Sequence, residues 1–134
     1  MKKLRYILFF IVGLFFATNV YANDIKKITM HIYVDNNGHA HVIEEWTANL
    51  NSGTEGYKPY YNLGTSEITD YKVSVNGTKF TTIEDWDVDA SFNEKRYKAG
   101  INKIDNGYEL CFGISKYGTN KYKMEYIYYE HLWW

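Results

Sequence analysis

The chain has 134 residues, enough for one domain and too few for two. Hydrophobic residues make up 46% of it and charged residues 23%, an ordinary globular mixture. Removal of the first 22 residues would take away three of the 15 Lys and Arg residues and none of the 16 Asp and Glu residues, which leaves a net charge of about −4. This acidic balance argues against a nucleic-acid partner and against electrostatic docking on an anionic membrane.

The N-terminus has the order of features found in an export signal. Three basic residues precede an uncharged, mostly apolar run from Tyr6 to Ala17, and Val20 and Ala22 stand at the two positions where signal peptidase needs small residues. A run of about a dozen residues is short for a membrane span. We therefore predict a signal peptide over 1–22, cleaved after Ala22, and a single β-rich extracytoplasmic domain over 23–134. The alternative is an uncleaved N-terminal anchor, which N-terminal sequencing of the exported product distinguishes.

The first segment of the domain has the pattern of a β-hairpin. Apolar residues occupy every second position from Ile28 to Val34, which predicts a half-buried strand, and Asn37-Gly38 suits a tight turn. A second strand is predicted from Ala40 to Leu50. Glu44 falls on its apolar face, and we expect a bulge near Ile43 to turn this carboxylate away from the core.

The segment 51–69 is a connection rich in Gly, Asn, Ser and Thr. It contains Pro59 and three tyrosines, Tyr57, Tyr60 and Tyr61. A loop of this length is uncommon unless it is functional or disordered, and three tyrosines argue against disorder. This loop is the first candidate for a binding surface.

Two further elements precede residue 105. Alternating apolar residues on both sides of Asn76-Gly77 predict a second hairpin from Asp70 to Thr82. Ser91 and Glu94 match a capping box, which predicts a short helix over Phe92–Ala99, ended by Gly100.

The C-terminal part again alternates with a period of two. A strand is predicted from Tyr108 to Ile114 and another from Lys121 to Glu130, paired as a third hairpin. The fold class that follows is all-β: an antiparallel β-sandwich, or an open barrel, of hairpins with one short helix. The segment Tyr122–Tyr129 has high β propensity, and we expect it to form an unpaired edge that promotes aggregation or dimerisation.

No arrangement of residues in the sequence predicts catalysis, a metal site or a cofactor. Cys111 lies in an apolar strand pattern and is expected to be an inert core residue. Glu44 and Glu45 are adjacent on a strand and point to opposite faces, so they cannot flank one glycosidic bond. Asp85, Asp87 and Asp89 begin like a calcium loop that then lacks its Gly and its last acid. His39 and His41 fit the wet face of a hairpin better than a zinc site.

Taken together, the motifs resemble the exported N-terminal domain of a bacterial family of predicted membrane proteins, the domain of unknown function 2207. The resemblance covers most of the mature chain and rests on segments rich in β pattern, Gly and Trp: Ile28–Asp35 with Gly38, Val42–Trp46, Gly53–Gly56, Ile68–Gly77, Trp86–Phe92, Tyr108–Ile114 and Tyr122–Tyr126. It implies an all-β extracytoplasmic domain that is normally followed by a transmembrane helix and a cytoplasmic part. Since this sequence stops at Trp134, it resembles a shortened member.

Two functional hypotheses remain at this point. The first is a non-enzymatic extracytoplasmic domain that binds or senses an unknown envelope or extracellular ligand, as part of a membrane-protein family. Membrane anchoring would apply only if the native chain continues beyond Trp134. The alternative is a secreted carbohydrate-binding or adhesin-like module, in which Tyr57, Tyr60, Tyr61 and Trp86 offer flat rings to apolar sugar faces.

Overall fold

The computed structural model describes residues 22–130. The predicted signal peptide therefore lies outside the described residues, apart from Ala22, and so do the last four residues of the chain. The described part contains nine strands and one helical turn: β1 (Asp24–Val34), β2 (Ala40–Leu50), β3 (Glu55–Tyr61), β4 (Glu67–Val75), β5 (Thr78–Lys79), β6 (Thr81–Ile83), α1 (Phe92–Lys95), β7 (Lys98–Ile104), β8 (Gly107–Gly113) and β9 (Gly118–Tyr129).

The strands form two sheets that pack face to face. The larger sheet has the order β1-β2-β9-β4-β5, and the smaller sheet has the order β3-β8-β7-β6. All pairs are antiparallel except β6 with β7, which run parallel. The predicted all-β sandwich with one short helix is thus confirmed, with a mixed smaller sheet.

The core lies between the sheets and follows the predicted alternation. In β4, Tyr71, Val73 and Val75 are buried while the residues between them face solvent. In the centre of the smaller sheet, Leu110 and Phe112 point into the same core. Burial of such side chains contributes about 25 cal/mol per Å² of apolar surface and is the main source of stability in a domain without a disulfide.

The first hairpin is confirmed, but its first strand is not half-buried. β1 pairs with β2 from Asp24 to Val34, and every residue of β1 except Thr29 is exposed. The expected bulge near Ile43 is absent, because the register of β2 with both of its neighbours is regular at that point. Glu44 therefore points into the core.

The predicted connection over 51–69 is wrong, because it contains β3. The predicted helix is also too long. Ser91 and Glu94 do form the expected capping box, but α1 ends at Lys95 and the chain continues into β7. Tyr97, between them, has a φ of 53°, a left-handed conformation that breaks the helix.

The second hairpin is shorter than predicted. Asn76-Gly77 turns the chain as expected, with both residues at positive φ. Only Ser74 and Val75 pair with the returning β5, after which the chain crosses to the smaller sheet as β6.

The third predicted hairpin does not exist. β8 lies in the smaller sheet between β3 and β7, whereas β9 lies in the larger sheet between β2 and β4. The chain crosses between the sheets after Gly113, and Ile114 and Ser115 are buried in that crossing. The segment Tyr122–Tyr129 is therefore part of a central strand, and the expectation of an unpaired edge there is wrong.

No helix among residues 22–130 is long and apolar enough to cross a membrane.

Candidate functional site

The most unusual surface of the domain is the core-side face of β1, which we call the β1 ledge and define by Ile28, Met30, Ile32 and Val34. These residues stand in register with core-facing positions of β2, so they point to the same side of the sheet as the core. They are nevertheless between 43% and 67% exposed.

The cause of this exposure is the unequal width of the two sheets. The smaller sheet ends at β3, whose side chains Lys58 and Tyr60 contact Glu44 of β2 and Tyr126 of β9. β1 lies one strand further out and is not covered by a strand of the smaller sheet within residues 22–130. Apolar side chains that a wider sheet would bury are thus presented to solvent.

The backbone of β1 also offers hydrogen-bonding groups that pair with no other strand within residues 22–130. The amide of Asp35 donates to the carbonyl of His39 across the hairpin, at 3.0 Å. Because antiparallel pairs alternate, the peptide groups of the odd-numbered residues turn toward β2 and those of the four ledge residues turn away from it. The apolar side chains and the free backbone groups therefore belong to the same residues.

The neighbouring sheet edge at β3 is protected in a way that β1 is not. Hydrogen bonds between Ile114 and Thr54 and between Asn62 and Asn106 turn the even-numbered residues of β3 toward β8. The odd-numbered residues, including Pro59, turn outward. Proline has no amide hydrogen and so blocks the addition of a strand at its position.

A buried polar cluster lies beside the ledge, and we call its members Glu44, Trp46, Lys58, Tyr60 and Tyr126 the Glu44 cluster. Glu44 is fully buried. Its carboxylate accepts hydrogen bonds from the indole of Trp46 at 2.9 Å, from the hydroxyl of Tyr126 at 2.7 Å and from the ammonium of Lys58. Tyr60 and Tyr126 are joined through their hydroxyl groups.

The polar groups of this cluster hydrogen-bond to one another. Burial raises the pKa of Tyr126 far above its ordinary value, and the hydrogen bonds to Tyr60 and Glu44 raise it further. The hydroxyl is thus a permanent donor, and the carboxylate has a cation and two neutral donors around it. A buried carboxylate that accepts three hydrogen bonds, one of them from a cation, is held in place structurally and is a poor general base.

A second cluster fixes the excursion over residues 84–97 to the outer face of the smaller sheet. The ammonium of Lys95 lies 3.0 Å from the carboxylate of Glu55 and 3.1 Å from the hydroxyl of Thr54. The indole of Trp86 donates to the same carboxylate at 2.7 Å. Because Trp86 packs over Gly100, which stands in register with Cys111, the excursion covers the only thiol of the chain.

The four aromatic residues predicted from the sequence as a binding surface do not lie together. Tyr57 and Tyr61 are about half exposed on the outer face of β3. Tyr60 points the opposite way, into the Glu44 cluster. Trp86 belongs to the excursion and is buried against the smaller sheet. Of the four, only Tyr57 and Tyr61 are therefore exposed enough to stack on a ligand.

The other candidate residues occupy structural positions. Cys111 is fully buried, and burial raises the pKa of its thiol to about 12. His39 contacts Asp35 and Tyr129 at the turn, and backbone hydrogen bonds from His39 lower the pKa of Asp35. Asp87 accepts a hydrogen bond from the amide of Asp89 within a tight turn. Within residues 22–130, no group of three His, Cys, Asp or Glu residues could hold a metal ion.

No protein-family model, curated protein or solved structure matches this chain.

The sequence pattern places the four ledge residues on one face of a strand, but it does not show that this face is exposed. The alternation of Ile28, Met30, Ile32 and Val34 was interpreted as burial, because period-2 alternation normally means that one face meets another layer. The Glu44 cluster, in contrast, has a signal in the sequence. Glu44 is an isolated acid on the apolar face of β2, and a buried carboxylate requires a cation such as Lys58 opposite it.

Proposed function

We propose that this chain is a non-enzymatic, extracytoplasmic binding domain that docks a polypeptide strand on the β1 ledge at the cell envelope. The observation that carries the proposal is the coincidence of four exposed apolar side chains with a hydrogen-bonding edge that no other strand of residues 22–130 occupies, on an eleven-residue strand. The predicted export signal over 1–22 supports the location, and the resemblance to a membrane-protein family supports a role at the envelope.

A strand added to β1 would satisfy both features at once. Its backbone would pair with the outward peptide groups of the ledge residues, and its alternate side chains would lie beside theirs on the core side. Binding of this type draws affinity from the main chain and specificity from alternate side chains. Pro59 disfavours the same kind of docking at the edge strand β3.

The proposal is tested with a fluorescent ten-residue peptide of alternating Thr and Val, and with the same peptide N-methylated at every residue. We expect the unmodified peptide to bind with a Kd between about 10 µM and 1 mM, the range of weak peptide contacts. The N-methylated peptide should not bind, since it cannot donate hydrogen bonds to the ledge. Fluorescence anisotropy measures both.

A pair of variants locates the binding. Ile32→Lys places a charge in the middle of the ledge and should weaken peptide binding at least tenfold, about 1.4 kcal/mol. Val88→Lys makes the same change at another exposed apolar side chain, on the excursion, and should leave the affinity unchanged. Equal binding of both peptides, or equal losses in both variants, would contradict docking on β1.

Carbohydrate binding is a second candidate, favoured by Tyr57 and Tyr61. Their rings lie on one face of β3, on either side of Pro59, about 13 Å apart for four strand residues. Flat apolar surfaces of this kind stack on sugar rings. Glycan-array binding that Tyr57→Ala and Tyr61→Ala each abolish would favour this function over strand docking, and an array without signal would remove it.

A further inference from the structure

We propose that the strand docked on the β1 ledge is β1 of a second copy of this chain, paired antiparallel across a two-fold axis at His31. This inference rests on the proposed function, because it names the partner of the same surface. The two larger sheets would then form one continuous sheet across the interface, as is usual for an isologous contact between two edge strands.

The register follows from where β1 is regular. A β-bulge interrupts its pairing between Ile25 and Lys27, and the strand gives way to the turn at Asp35. The regular segment from Lys27 to Asp35 has His31 at its midpoint. A two-fold axis at His31 therefore pairs the whole segment with itself and leaves the bulge outside the interface.

This register also satisfies the hydrogen-bonding alternation. It sets Ile28 opposite the partner's Val34 and Met30 opposite the partner's Ile32. All four of these residues turn their peptide groups outward, so each opposing pair can exchange both of its backbone hydrogen bonds. Their side chains meet on the core side and shield one another from water.

Charge favours the antiparallel arrangement of two copies. Lys27 lies at one end of the regular segment and Asp35 at the other, and both side chains are exposed. The proposed pairing brings Lys27 opposite the partner's Asp35 at each end of the interface. A parallel pairing would instead place Lys27 next to the partner's Lys27, which is unfavourable.

The decisive experiment is disulfide trapping at the axis. His31 would form a non-hydrogen-bonded pair with its own copy, with Cα atoms about 4.5 Å apart, inside the range that a disulfide spans. His31→Cys should give a covalent dimer as the main product in a glutathione redox buffer. Thr29→Cys should give no covalent dimer, because its sulfur would lie about 13 Å from its copy. The native Cys111 is fully buried and does not interfere.

A charge reversal tests the register independently. Lys27→Glu should raise the dimer dissociation constant about tenfold, since it turns both end contacts repulsive. Lys26→Glu makes the same change of net charge in the bulge and should have little effect. Sedimentation equilibrium from about 10 µM to 1 mM measures the constants.

The outcomes separate this inference from the proposed function. A monomeric His31→Cys protein that still binds the Thr-Val peptide would overturn the second copy as partner and leave strand docking in place. Equal cross-linking of the two cysteine variants would mean random collision and would overturn the register. If the native protein neither self-associates nor binds the Thr-Val peptide, strand docking itself is overturned.

Discussion

Lys58→Met is expected to lower the free energy of unfolding by about 3 kcal/mol. Glu44 is fully buried at the centre of the sandwich, and Lys58 supplies the only cation that contacts it among the described residues. Methionine preserves most of the volume of lysine but removes the charge. The carboxylate would then keep only the neutral donors Trp46 and Tyr126, and it cannot reach water. Urea denaturation monitored by tryptophan fluorescence measures the change.

The two halves of this ion pair are not equivalent. The side chain of Lys58 is 22% exposed, whereas that of Glu44 is 1% exposed. In Glu44→Met the ammonium can turn toward solvent, so we expect a smaller loss than in Lys58→Met. The double variant should also be more stable than Lys58→Met alone, because it leaves no buried charge. Strictly additive losses would mean that the pair is not coupled in the native state.

A pair of tyrosines provides the matched control for the cluster. Tyr126→Phe removes a hydroxyl that donates to the buried carboxylate of Glu44 and should cost about 2 kcal/mol. Tyr71→Phe removes a hydroxyl that is buried without a hydrogen-bond partner within residues 22–130 and should be neutral or stabilising. The same loss in both variants would indicate a packing effect instead of a hydrogen-bond network.

Most of the local structure of this domain could be predicted from the sequence. Val73 and Val75 alternate with polar residues and are buried, and Asn76-Gly77 turns the chain, because both properties depend on neighbouring residues. The capping box at Ser91 was found for the same reason. The predicted helix is too long because no local sequence pattern predicts the left-handed conformation of Tyr97.

Strand partners could not be derived in this way. β8 and β9 are neighbours in sequence and each has the pattern of a strand, but they belong to different sheets. One property of β8 pointed to this outcome. Leu110, Cys111 and Phe112 form a continuous apolar run, which is typical of a strand covered on both faces and not of a half-buried hairpin.

The candidate site depended on partners that are distant in sequence. The burial of Glu44 is explained by Lys58 and Tyr126, which lie 14 and 82 residues away. The exposure of Ile32 depends on how far the opposite sheet extends, a property of the whole topology. Alternation shows which side chains share a face, and the width of the opposing layer decides whether that face is buried.

Lys95→Met is expected to release the excursion over residues 84–97 from the smaller sheet. Lys95 is almost fully buried, and its ammonium holds Thr54 and Glu55 of the adjoining sheet. Without that cation, Glu55 keeps the indole of Trp86 and can turn its partly exposed side chain toward solvent, so we expect a loss of about 2 kcal/mol in the free energy of unfolding. The same variant should expose the outer face of β8.

The thiol of Cys111 reports this opening directly. In the native protein it is fully buried and burial raises its pKa to about 12, so it reacts with a disulfide reagent only when the excursion opens. If Lys95→Met makes opening easier by about 2 kcal/mol, labelling of Cys111 at pH 8 should accelerate about thirtyfold. Lys103→Met removes an exposed lysine of β7 and should leave the rate unchanged. Unchanged labelling in Lys95→Met, with the stability reduced as expected, would mean that Cys111 is reached by an opening that leaves the Lys95 contacts intact. A free energy of opening equal to the whole free energy of unfolding would mean that the excursion opens only when the sandwich unfolds.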